Sequence, residues 1–193
     1  MSEDEPVIGG IVLAAGGGTR FGATKQLALL RGRPLLSYAV EALLSVPAIW
    51  PVVVVLGHDA DAIRRGVDLH DAEVAVCSDW RDGQAASVRA GVTALGTVDA
   101  AVITLGDQPF VTPQVIAGTL DYDDRYHDAV RTTYFGEPGH PVLLTRRLLD
   151  RTGELHGDVG FRHLLEGQRV RHVEAGRLCD PTDIDTQEEL ARL

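Results

Sequence analysis

Lysine is nearly missing from this sequence of 193 residues: Lys25 is its only one, and arginine carries the rest of the basic charge. Positive charge of either kind is scarce, with 18 lysines and arginines against 28 aspartates and glutamates and a formal net charge of −10. That balance excludes a nucleic-acid backbone or an anionic membrane as the main partner. It still admits a small phosphate ligand, provided that local donors and a divalent cation meet it. Cysteine is as sparse. Cys77 and Cys179 are far apart and have no CxxC or zinc-like spacing, which excludes a disulfide framework and predicts two buried free thiols in a reducing compartment. No apolar run approaches the roughly 20 residues of a membrane span. The acidic start MSEDEP lacks the basic and apolar regions of a signal peptide. The expected location is the cytoplasm.

The composition is 45% hydrophobic and 24% charged, ordinary for a globular chain, and its length suits one domain over residues 1–193. Apolar runs at 7–13, 51–57, 73–77 and 100–105 read as strands, and helix-period segments at 34–46 and 85–95 lie between them. Asp59 is expected to cap a short helix running to Arg65, and Thr112 one over 113–120 with proline at its first position. Near-continuous apolar strands separated by helices predict a three-layer α/β/α fold with a mainly parallel sheet. The alternation breaks after Tyr126, where 129–135 and 140–145 read as a hairpin joined by residues 136–139. The C-terminal third is otherwise irregular.

The densest glycine signal is IVLAAGGGTRFGATK, residues 11–25. A glycine-rich turn after a first strand presents backbone N–H groups to phosphate. Gly16, Gly18 and Gly22 give GxGxxxG, which fails the dinucleotide fingerprint, and no acidic residue follows about 20 positions on. Gly17 and Gly22 have P-loop spacing, but Ala23 takes the lysine position.

A third reading rests on a resemblance. LAAGGGTRFG followed by Lys25 resembles the LAAGxSxRFGxxK signature of the MobA-like nucleotidyltransferases, which implies a Rossmann-like nucleotidyltransferase fold. It implies that Leu13, Ala14, Ala15, Gly16, Gly17 and Gly18 wrap the nucleotide while Arg20 and Lys25 neutralise its triphosphate. Arg20 suits two oxygens at once, and Lys25 acts as a point charge. Gly18 stands where many relatives carry serine. AVITLGDQPF sets Asp107 at the carboxyl end of a buried strand, a position suited to a Mg²⁺ ligand beside a triphosphate. Its GDQPF string resembles the branch that attaches CMP to the molybdopterin cofactor. WRDGQAASVRAG resembles the segment that faces the nucleotide, here with Gly83 and Ser87. GEPGHPVLL and GDVGFRHLL are similar to two further stretches and offer Gly139, His140, Pro141, Asp158 and Arg162 as acceptor-binding candidates. DIDTQEEL resembles the closing D-x-DTPEDL, with Gln187 replacing proline, and adds Asp183 and Asp185 as candidate metal ligands.

The resemblance therefore implies a cytidylyltransferase that uses CTP and the phosphorylated molybdopterin cofactor, with Mg²⁺, or Mn²⁺ in its place, and with a molybdenum hydroxylase as recipient of the product. Because the acceptor phosphate is already anionic, no strong general base is required. Alternatives are the same transfer from GTP or another NTP, transfer to another phosphorylated acceptor such as a sugar phosphate, and a non-catalytic carrier protein for a molybdenum hydroxylase.

Overall fold

In a computed structural model of the chain, residues 6–158 and 161–193 are described, with the Arg162 side chain also outside the description. Strand β1 (Ile8–Ala14) is buried along its whole length. Its Ile8, Val12 and Ala14 face one core, and Ile11 and Leu13 face another. Burial on both faces is why this strand reads as an unbroken apolar run. The ribbon β2 (Leu29–Leu30) and β3 (Arg33–Pro34) leads into α1 (Leu35–Leu44). Then follow β4 (Ile49–Leu56), α2 (Ala60–Gly66), β5 (Glu73–Val76), α3 (Gln84–Leu95), β6 (Ala100–Leu105) and α4 (Pro113–Gly118). The remaining elements are β7 (Ala129–Tyr134), β8 (Glu137–Thr145), α5 (Arg146–Leu149), α6 (Arg162–Leu165), β9 (Val170–Glu174) and α7 (Gln187–Ala191).

Among the described residues one sheet of seven strands runs in the order β5-β4-β1-β6-β8-β7-β9. All its pairings are parallel except those of β8, which lies antiparallel between β6 and β7. Helices α1, α2 and α4 pack into the core on one face through Leu36, Val40, Leu43, Ile63, Val115 and Ile116. Helices α3, α5 and α6 cover the other through Ala85, Val88, Leu95, Leu148, Leu149 and Leu164. The fold is the expected α/β arrangement with a mainly parallel sheet between helical layers. No helix among the described residues is long and apolar enough to cross a membrane.

Three local expectations are corrected. The hairpin turns on two residues, Phe135 and Gly136, both at positive φ (53° and 86°), so residues 137–139 belong to β8. Such a turn carries the twist of the flanking strands and needs no longer loop. Asp59 precedes α2 in a left-handed conformation and its side chain does not cap the helix; its carboxylate accepts from the Thr24 hydroxyl instead. Of the two free thiols Cys77 is buried, but Cys179 is only half-buried.

Candidate active site at the glycine loop

The carboxyl ends of β1 and β6 deliver the glycine loop and Asp107 to the same crevice, as expected where parallel strands end. A pocket of about 800 Å³ opens there, lined by Leu13, Ala15, the glycines 16–18, Arg20, Lys25, Gly83, Ser87, Asp107, Asp158 and Asp185 among others. Ala14 lies behind the loop, in a small adjoining cavity with Gly106 and Asp107.

Lys25 is the centre of the charge pattern. Its Nζ donates to Asp107 Oδ2 at 2.7 Å and to Asp185 Oδ1 at 3.0 Å, while the Arg20 guanidinium lies 2.9 Å from Asp185 Oδ2. Burial pulls the Lys25 pKa down, but the charges and hydrogen bonds of Asp107 and Asp185 outweigh it, so the ammonium is held above its ordinary value. Lys25 is thus a fixed, fully charged cation with a side chain only 12% exposed. Arg20 is 75% exposed and free to follow a ligand.

The C-terminal segment reaches the site through backbone and amide bonds. Ile184 N donates to Asp107 O at 3.1 Å, and the buried Gln108 donates through Nε2 to Pro181 O at 3.0 Å. Thr186 and Glu189 form a capping box on α7, and the Glu189 carboxylate also accepts from Asp185 N. Gln187 donates through Nε2 to Phe21 O at 3.1 Å and fastens this segment to the glycine loop. Burial, followed by repulsion from Asp107, pushes the Asp183 carboxyl above its ordinary pKa.

These carboxylates suit a divalent cation in one respect: Asp107 Oδ1 is buried without any hydrogen-bond partner, and hard oxygen donors are what Mg²⁺ or Mn²⁺ takes. Yet among the described residues no three His, Cys, Asp or Glu side chains gather into a ready metal cluster. The reason is visible in the ion pairs, since the Lys25 ammonium already lies between Asp107 and Asp185.

Sequence reasoning missed Gln26. It is buried, and its amide donates to Ala14 O at 2.7 Å and Gly16 O at 3.0 Å, which fixes the loop from behind. Its signal was a lone amide between the lysine and an apolar run. Ala15 O likewise accepts from His58 N at 3.1 Å, so these loop carbonyls are engaged and the loop's amides are what it offers. Trp80, Arg81 and Gln84 also line the pocket. His58 packs edge-on against Trp80 at 5.3 Å, beneath Gly17. Gly18 has φ +56°, and a Cβ there would sit 2.8 Å from Ala23 O, so serine at this position would strain the loop as it stands.

Of the acceptor candidates, Asp158 accepts from Gln84 N at 3.0 Å and so caps the start of α3 at the pocket rim. It lies in a turn ahead of α6. The Arg162 side chain is outside the described residues. Gly139 packs on the Tyr134 ring, where a Cβ would come within 2.7 Å. Tyr134 donates to His140 O at 2.6 Å, and the His140–Pro141 bond is cis. His140 Nδ1 lies 3.4 Å from Ile103 O on β6, and burial lowers its pKa to about 4. These residues are on the strands beside Asp107, but none of Gly139, His140 or Pro141 lines the main pocket.

Gly83 makes the tightest approach. With φ +97°, a Cβ there would sit 2.4 Å from the Gly157 carbonyl carbon and 2.7 Å from Asp158 Oδ1. Gly83→Ala is therefore expected to destabilise the chain by about 2 kcal/mol, from left-handed strain and a displaced backbone. The nucleotide KM should rise with it, because the start of α3 is part of the pocket wall. Thermal unfolding and steady-state kinetics check this, and a variant matching wild type in both contradicts the packing described.

Comparisons with known proteins bear on the family and the fold. The family model described as MobA-like NTP transferase domain matches residues 10–175. Nicotine blue oxidoreductase from Paenarthrobacter nicotinovorans is 29% identical, over 98% of this chain and 98% of its own length. The bifunctional protein GlmU of Oleidesulfovibrio alaskensis is 34% identical over 96% of this chain, which spans only 36% of that longer protein. Among solved structures, the Mycobacterium tuberculosis protein Rv0371C in complex with manganese superposes with a TM-score of 0.83 at 28% identity, covering 97% of both chains.

Proposed function

Because this chain belongs to the MobA-like NTP transferase family and is a nucleotidyltransferase, we propose that it transfers CMP from CTP to the phosphate of the molybdopterin cofactor and releases pyrophosphate. The observation that carries the transfer is the pocket itself, in which a glycine loop faces a fixed cation held between Asp107, at the end of β6, and Asp185, just before α7. An acceptor phosphate oxygen forms a new P–O bond at the α-phosphorus as the bond to the β-phosphate breaks. Both reactants are anions, so this chain's task is alignment and neutralisation. The loop amides hold the phosphates, Arg20 follows them, and Lys25 stabilises the charge that builds in the transition state. Asp107, Asp183 and Asp185 would hold a divalent cation, which supplies further neutralisation when bound.

Cytidine is supported by the LAAG start and by GDQP at the end of β6. Guanine would need a wider slot and an acceptor for its amino group. The test is pyrophosphate release with each of the four NTPs, with and without the pterin. A kcat/KM for CTP well above that for GTP, dependent on the pterin, is expected; an equal or higher value for GTP overturns the base assignment and leaves the reaction class intact. A second reading comes from the end-to-end relative whose name denotes an oxidoreductase. Oxidation of NADH or NADPH in place of pterin-dependent pyrophosphate release would establish it.

A further inference from the structure

The loop cations are assigned to the triphosphate, which leaves open what meets the acceptor's own charge. Arg131 in the middle of β7 is a cation with no recorded partner. Among the described residues it forms no salt bridge or side-chain hydrogen bond, and its Nε is buried without an acceptor. Burial lowers its pKa, the mark of a charge taken out of water without compensation.

Register explains why no neighbour neutralises it. Arg131 pairs with Val142 on β8 and with His172 on β9, and Glu174, two positions beyond His172, is on the same face beside Thr133. That carboxylate is used up. It accepts from Phe135 N at 2.8 Å, Gly176 N at 2.9 Å, Thr133 Oγ1 at 2.9 Å and Gly136 N at 3.2 Å. These donors, Gly176 N foremost, hold its pKa at about 2. The group nearest in character is His140, whose imidazolium the Arg131 charge disfavours. His140 contacts Phe161 edge-on at 5.8 Å and shares with it the sheet face that carries the nucleotide pocket. The pairing of β8 with β6 ends at Val142 opposite Ile103, two residues before Leu105, which lines that pocket. A neutral His140 that donates through Nδ1 to Ile103 O keeps a lone pair on Nε2.

We propose that Arg131, with His140 on the neighbouring strand β8, is an anion subsite that receives the phosphate monoester of the acceptor, two strands across from β6, which leads to Asp107. It rests on the reading that the acceptor is phosphorylated. A guanidinium takes two phosphate oxygens at once, and the Nε2 lone pair accepts from the P–O–H of a monoprotonated monoester. The buried Arg131 Nε, which has no acceptor, gains one when the anion arrives.

The probe is inorganic phosphate, titrated into the full chain with the nucleotide pocket filled by a non-hydrolysable CTP analogue and Mg²⁺, against chloride at matched ionic strength. Histidine NMR reports on His140. A saturable shift of the His140 resonance is expected, with a phosphate Kd at least about tenfold weaker in Arg131→Met, the scale of one lost charge-assisted pair, and partly recovered in Arg131→Lys. No response at His140, or unchanged phosphate affinity in Arg131→Met, overturns the subsite. If Arg131→Met does not fold, the wild-type titration decides alone. Phosphate binding at Arg131 without pterin turnover retires the acceptor's identity and keeps the subsite. Pterin turnover with a silent His140 retires the subsite and keeps the reaction.

Discussion

Lys25→Ala is expected to lower turnover about a hundredfold or more, the scale for losing one preorganised group that stabilises transition-state charge. The expectation follows from where the ammonium is fixed rather than from its sign alone. It is nearly enclosed, hydrogen-bonded to Asp107 and Asp185, and held protonated against the pull of burial. Arg20→Ala should instead raise the nucleotide KM and largely spare kcat, because an exposed guanidinium contributes to binding more than to a fixed geometry. Arg20→Ala changes only an exposed side chain, so its unfolding midpoint should stay within a few degrees of wild type. Single-turnover kinetics of pyrophosphate release separate the two effects. Wild-type turnover in Lys25→Ala would sink the assignment of the loop to the reacting phosphates.

The other large effect is on stability. Asp128→Ala should cost about 3 kcal/mol or more, the range for breaking a buried pair, and lower the midpoint by about 6–12 °C for a chain of this size. The Asp128 side chain is 3% exposed and fastens three strands. Its Oδ1 accepts from Arg147 Nη1 at 2.9 Å and Arg169 Nη2 at 2.8 Å; its Oδ2 accepts from Arg169 N at 3.0 Å and Nε at 3.1 Å. Its main-chain oxygen takes the amide and hydroxyl of Thr145. The start of β7, the end of β8 and the residue before β9 meet there. Hydrogen bonds from Arg169 above all hold this carboxyl well below its ordinary pKa. A depressed folded-state value means that the stabilisation is fully present above the unfolded carboxyl pKa of about 4 and fades as pH falls below it. The midpoints of wild type and Asp128→Ala should therefore differ most near neutral pH and converge in acid. Equal midpoints at pH 7 would contradict the clamp.

The strands β1, β4 and β6 were legible because two-sided burial leaves a local mark, an unbroken apolar run. The helices between them left a 3.6-residue period, and the glycine loop with Arg20, Lys25 and Asp107 was written in order along the chain. Lys25 and Asp107 were singled out separately; their direct ion pair was not, because they are 82 positions apart in sequence. The sequence by itself determined the layered α/β class, the strand-end carboxylate and a glycine loop charged by one lysine. Only the tertiary structure decided that Gln26 braces the loop, that Asp158 caps α3, that Glu174 is consumed by a hairpin, and that Arg131 is left uncompensated beside the site. Those outcomes depend on which strands are neighbours and in what register. Pairing across dozens of residues is set by the whole core and leaves no period or spacing in any short stretch of chain.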